Sequence, residues 1–173
     1  MYPYFRLAKV IACGLIGKPR TFGDTGTVKM LVWPADIDFY PEMNNGRHLT
    51  LMDLGRIDLA VRTGLFKVVR RNGWAFVAAG ASVRYRHPIR PLKSFELHTT
   101  PLGHDGRWIY FHHETLQGGK TCSSVLFRGG IRGKNGLVPA SEVLRQLGRA
   151  NWNPELPGWV VNWIAADKTR ELP

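Results

Sequence analysis

Cysteine is scarce: Cys13 and Cys122 are the only two in 173 residues. They stand far apart, and neither belongs to a CxxC pair or a histidine cluster. That excludes a zinc ribbon and a disulfide-framed scaffold, and it fits a reducing compartment such as the cytoplasm. Negative charge is scarce too, since 13 Asp and Glu face 24 Lys and Arg for a formal charge of +11. Such an excess draws polyanions of any kind. Yet zinc-finger spacing, RNP-type aromatic motifs and continuous basic runs are all missing, which reads against a nucleic-acid module. Long apolar runs are missing as well. The N-terminal MYPYFRLAKVIACGLIGKPR is broken by Arg6 and Lys9, is too short to span a bilayer, and lacks the layout of a cleaved signal. A helix there is weakly amphipathic, and packing on the domain's own surface is the expected role, ahead of a membrane contact.

What is present suits one globular domain with short appendages. The chain is 44% hydrophobic with six tryptophans and no low-complexity block. The run Thr27–Trp33 is short, apolar and β-prone, and Pro34 ends it. After Asn44-Asn45-Gly46 comes a stretch from about Asn45 to Thr63 whose apolar residues cover most of a helix, with Gly64 as its cap. Residues 65–73 read as a second, short helix. Four strand-like runs follow, over 74–87, 94–103, 107–117 and 121–132, separated by turn chemistry. A short helix over 139–147 and an aperiodic tail from Asn151, expected to wrap the surface, complete the chain. An antiparallel meander needs an apolar cover, and the helix from Asn45 is the element long enough to supply it. Pattern alone leaves a sheet wrapped around that helix as one of a few α+β arrangements.

The segment Trp33–Leu49, WPADIDFYPEMNNGRHL, narrows the choice. It resembles the DxDxxxHxNNxxYL signature of hotdog-fold acyl-CoA thioesterases of the 4-hydroxybenzoyl-CoA thioesterase type. Asp36, Asp38, Asn44, Asn45 and Leu49 match, while Glu42 stands in place of the usual His and His48 in place of the usual Tyr. Asp53 and Arg56 fall where the family often has an acid and an arginine. The resemblance covers roughly 25–148, so 1–24 and 149–173 are expected as extensions of a hotdog domain: an antiparallel sheet around a long central helix.

Thioester hydrolysis needs a group that adds water or itself to the carbonyl, and donors that hold the resulting oxyanion. The resemblance implies Asp38 as nucleophile or general base and the N–H of Asn45 as oxyanion donor, with Asn44 and Gly46 beside it on the substrate. Asp36 is the alternative carboxylate, although its alternation with Asp38 turns the two in opposite directions. Glu42 is a second acid that shares a proton with Asp38, marks a site that has lost its usual acid, or is simply a solvated loop residue. Asp53 reads as a helix carboxylate or as the ion-pair partner of Arg56 or Arg47. Arg84, Arg86, Arg90 and Arg132 are candidates for the phosphates of coenzyme A. No cofactor is expected beyond the coenzyme A of the substrate itself. Such sites form between two protomers, so the resemblance implies a homodimer or tetramer. His112 and His113 are neighbours on a strand, point to opposite faces and are not expected to share a metal. The second reading is a hotdog protein that binds an acyl-CoA or acyl-carrier-protein thioester without hydrolysing it.

Overall fold

The structure, a computed structural model, describes residues 2–171. Met1, Leu172 and Pro173, at the outer ends of the two expected extensions, lie outside the described residues. The chain runs α1 (Tyr4–Ile16), β1 (Gly26–Leu31), a 3-10 turn (Pro34–Asp36), α2 (Asn45–Arg62), α3 (Leu65–Arg71), β2 (Ala75–Tyr85), β3 (Ser94–His104), β4 (Ile109–Gln117), β5 (Lys120–Gly133), β6 (Gly136–Val138), α4 (Ala140–Gln146) and α5 (Gly158–Lys168). The strands form one antiparallel sheet in the order β1-β3-β4-β5-β2, with β6 paired to β5.

The inner face of this sheet closes on α2. Phe95, Leu97 and Thr99 of β3 and Phe111, His113 and Thr115 of β4 alternate inward and are buried. They meet Leu51, Met52, Leu54 and Leu59 of the helix. Gly55 lets the two layers approach, since a Cβ there would stand 2.8 Å from Leu97 Cδ2. On its far side α2 is covered by α1, where Gly14 lies against Val61. A helix apolar over most of its circumference is thus packed on two sides, as its pattern requires.

Three features depart from the expectation. The four strands after α3 are not one meander: only β3, β4 and β5 follow in sequence, while β2 pairs with β5 at the sheet edge and β1 takes the place beside β3. The tail wraps the outer surface but not as irregular chain: Pro157 opens the 11-residue α5, whose Val160, Trp163 and Ile164 pack on Tyr110 and Leu126 of the outer sheet face. Trp159, Val160, Val161, Trp163 and Ile164 make this helix apolar on every side, so the sequence carries no stripe to mark it. The expected last strand also continues past Lys134-Asn135 into the short β6, with Gly136 at φ +106° turning the corner.

Candidate active site

The two acids that stand one residue apart have separate fates. Asp36 ends the 3-10 turn and is 1% exposed. Arg6 of α1 holds it through two hydrogen bonds of 2.6 and 3.0 Å, Arg47 of α2 donates at 2.8 Å, and the N–H of Trp33 at 2.8 Å. Burial acts to raise this carboxyl, but the hydrogen bonds from Arg6 and Arg47 outweigh it and hold its pKa below the usual carboxylate range. Asp36 is therefore a fastener joining α1, the turn and α2. The sequence reading set Asp36 and Asp38 on opposite sides because of strand alternation. The sides do differ, but a 3-10 turn is what separates them.

Asp38 opens a small loop closed by a bridge between Ile37 and Met43. Its N–H donates to the carbonyl of Glu42 at 3.1 Å, and one carboxylate oxygen accepts the N–H of Tyr40 at 3.0 Å. That Asx-type turn fixes the Asp38 side chain without neutralising it. Asp38 and Glu42 are half-buried, lie across one loop from each other, and neither enters an ion pair among the described residues. The loop is tied down where it joins α2, because the Asn44 N–H donates to Asp36 O at 2.8 Å and the Met43 N–H to Ile89 O at 2.9 Å.

The first turn of α2 presents the amide donors. Asn44 is the N-cap, and its Oδ1 accepts the N–H of Gly46 at 2.9 Å. The Gly46 amide is engaged by this cap, whereas the exposed N–H of Asn45 has no intramolecular acceptor among the described residues. Tyr85, at the end of β2, donates its hydroxyl to the Asn45 carbonyl at 2.9 Å, which fixes the peptide on its other side.

Inside the domain α2 faces two polar groupings on the sheet. His48 Nδ1 lies 2.9 Å from Ser123 Oγ, which lies 2.7 Å from Thr115 Oγ1. Burial drives the His48 pKa down to about 4, only partly offset by its backbone contact with Met43. About two turns beyond, Arg56 donates to Asp53 at 3.0 Å and to His113 Nε2 at 3.0 Å, and its guanidinium lies 3.6 Å from the centre of the Phe127 ring. Because Arg56 only donates, His113 accepts at Nε2 and carries its proton on Nδ1, which donates to Thr99 Oγ1 at 3.0 Å. Burial, then the Arg56 charge, puts the His113 pKa well below its usual value. Tyr2 completes the array by donating to Asp53 at 2.6 Å. The predicted Asp53–Arg56 pair is thus present. The involvement of Tyr2 and His113 was not foreseen; its one sequence trace is the inward alternation of Phe111, His113 and Thr115.

Asp53 and Arg56 are the charged members of the wall of a cavity of about 370 Å³ that runs between α2 and the sheet. Its remaining wall is apolar, with Ile57, Ala60, Phe111, Phe127 and Ile131 among the contributors. Asp53 is eight residues from Asn45, so the cavity begins about 12 Å along the helix from the free amide. Asp38, Glu42 and Asn45 do not line it within one chain. Of the four candidate phosphate ligands, Arg84 and Arg86 stand exposed at the Tyr85 end of β2 and Arg90 in the loop that follows. Arg132 pairs with Ala75 at the other end of the strand, ten positions away or roughly 30 Å. The four arginines therefore form two groups.

The chain matches proteins that share this frame. It is 32% identical over 136 residues to Protein THEM6 of Xenopus laevis, a match that covers 78% of this chain and 64% of that protein. The chain thus spans a little under two thirds of this curated relative. Among solved structures, the 1,4-dihydroxy-2-naphthoyl-CoA thioesterase Slr0204 from Synechocystis superposes with a TM-score of 0.62 at 12% identity, covering 72% of this chain and 95% of that one. SAV2348 from Staphylococcus aureus, solved in complex with CoA, does so with a TM-score of 0.65 at 10% identity, covering 90% and 99%. At such identities the likeness is one of fold, and it makes the sheet around α2 a hotdog fold. The profile of the thioesterase-like superfamily matches residues 32–164, from just after β1 into α5, and the chain belongs to that superfamily.

Proposed function

We propose that this protein hydrolyses an acyl-CoA thioester to the free acid and CoA. The observation that supports this reading is the pairing, at the start of α2, of an unneutralised carboxylate on Asp38 with the free N–H of Asn45. In this mechanism Asp38 attacks the carbonyl or deprotonates a water that does so. The Asn45 amide, at the positive end of an 18-residue helix, holds the oxyanion. Glu42, across the loop, is the second carboxylate available to move a proton. Asn44 positions the amide as the cap, and Gly46 keeps the approach open. Arg84, Arg86 and Arg90 receive the phosphates at one end of β2. Arg132 serves at the other end only if a partner subunit brings it near.

The active unit is a homodimer. β2 is an 11-residue edge strand that exposes Ala75, Phe76, Ala78 and Ala81 and carries neither a proline nor a central charge, which leaves it open to pairing with its own copy. Both cysteines are free, which suits the cytoplasm. The test is turnover of a panel of acyl-CoAs. Asp38→Ala and Asp38→Asn each lower kcat by about a hundredfold or more, the scale expected for loss of a positioned acid or base. Unchanged turnover in both variants rejects this role for Asp38. The second reading, acyl-thioester binding without hydrolysis, is favoured by Glu42 in place of His. It predicts saturable acyl-CoA binding with no CoA released at any pH.

A further inference from the structure

The N-terminal helix is apolar on two faces, and the fold uses one. Arg6, Val10 and Gly14 of α1 are buried against the domain. At 100° per residue, Tyr4, Ala8 and Leu15 fall within about 40° of one another on the opposite side, with Ala12, Phe5 and Ile16 following over the next 80° or so. All six are exposed, the large ones heavily: Phe5 is 85% and Ile16 87% accessible. Half-exposed Leu31 and Trp33 extend this surface, because both line the groove between α1 and β1, where Arg6 lies 4.2 Å from the Trp33 ring. Among the described residues, six of the fourteen large hydrophobic side chains left exposed lie on α1 or on the groove beside it. Such clustering is not the scatter of single apolar residues found on ordinary surfaces.

Among the described residues, the cations beside the patch that no ion pair engages are lysines. Lys9 flanks the exposed stripe on α1, Lys18 follows the helix, and Lys29 lines the groove beside it. None of the three lysines enters an ion pair among the described residues, while Arg6 and Arg62 nearby are committed to Asp36 and Asp58. An apolar and aromatic stripe edged by free lysines, on a chain of net charge +11, matches the chemistry of an anionic bilayer surface. A second copy of this chain would bring lysines against lysines. No helix among the described residues is long and apolar enough to cross a membrane, so the contact is one of lying in the interface.

We propose that the exposed face of α1 docks this protein on anionic lipid bilayers, with Phe5, Leu15 and Ile16 inserted and Lys9, Lys18 and Lys29 at the headgroups. The inference is independent of the catalytic reading, because none of these residues belongs to the Asp38 and Asn45 arrangement. The experiment is co-flotation of the full chain with vesicles of phosphatidylcholine alone and of three parts phosphatidylcholine to one part phosphatidylglycerol, at low and at physiological salt. The expected result is flotation with the anionic vesicles that weakens with salt. Partitioning should drop by roughly tenfold or more in the double variant Phe5→Ser, Ile16→Ser. Circular dichroism and the melting temperature establish that the variant is folded, and light scattering gives its mass in solution. Lys9→Glu should lower binding to the anionic vesicles while leaving the weak binding to phosphatidylcholine unchanged. Three results overturn the proposal: no flotation of the wild type, equal flotation of the folded double variant, or a fall in solution mass caused by the double variant, which would assign the patch to a second copy.

Discussion

At the scale of single residues the acid pair before α2 separates structure from chemistry. Asp36 is enclosed by two arginines and a backbone N–H, so Asp36→Ala leaves Arg6 buried without its counter-charge. Breaking a buried pair in this way costs about 3–5 kcal/mol. Asp38→Ala removes only the acceptor of an Asx-type turn and should cost well under about 1.5 kcal/mol. Urea titration of the two variants checks the contrast, and equal losses would contradict it. Acid should weaken the fold for reasons visible at His48. Its pKa is about 6.5 unfolded and about 4 folded, so the unfolded chain takes up the proton first. Stability is full above pH 6.5 and falls as the pH drops toward 4, by up to roughly 3 kcal/mol from this residue alone. His113, also lowered, adds in the same direction. Asp36, lowered below its usual value, contributes stability that is lost only at still lower pH, as its carboxyl is protonated. His48→Gln should flatten the slope between pH 7 and pH 5, measured by denaturant midpoints at both. An unchanged slope would place the sensitivity elsewhere.

At the scale of elements, what the sequence made legible follows from periodicity. β3 alternates strictly and β4 does so from Phe111 to Thr115, and α2 is apolar around most of its circumference, so a sheet covered by that helix could be read in advance. The motif from Asp36 to Leu49 added the position of the amide and the loop carboxylate, because its spacing is tied to a strand end and a helix start. α5 was not legible because its apolar residues are spread around the helix and leave no stripe, and the Tyr2–Asp53–Arg56–His113 array was not because it joins residues from three distant segments. Arg132 shows the limit of reasoning by composition: it joined the other arginines in the sequence but stands at the far end of the same ladder. Gly55 is the element-scale test. An alanine Cβ there would collide with Thr99 Oγ1 and Leu97 Cδ2, and Thr99 is the acceptor for His113. Alanine would gain about 1 kcal/mol of helix propensity, against about 1–3 kcal/mol for overpacking the helix–sheet contact. Gly55→Ala should therefore lower the melting temperature rather than raise it; a rise would mean that the sheet yields.

At the scale of the molecule, the proposed chemistry is incomplete within one chain. The free Asn45 amide and the Asp38 loop lie at one end of α2, and the cavity begins about 12 Å further along it, with none of Asp38, Glu42 and Asn45 in its wall. A second protomer paired along β2 would add its own strand beside that of the first and cover Phe76 and Tyr85, both about 46% exposed in the single chain. The two-fold axis of such a pairing brings residues near the strand centre opposite their own copies. Ala81 is exposed there, beside its cross-strand neighbour Phe127. Ala81→Glu would oppose two like charges across the axis, an arrangement that disfavours pairing. The wild type should run as a dimer in light scattering at micromolar concentration. The variant should shift toward monomer, keep its far-ultraviolet dichroism, and lose acyl-CoA turnover in proportion to the lost dimer. A wild type that is monomeric and fully active would remove the need for a partner, and the route from the amide to the cavity would then have to be closed by movement of the Ile37–Met43 loop alone.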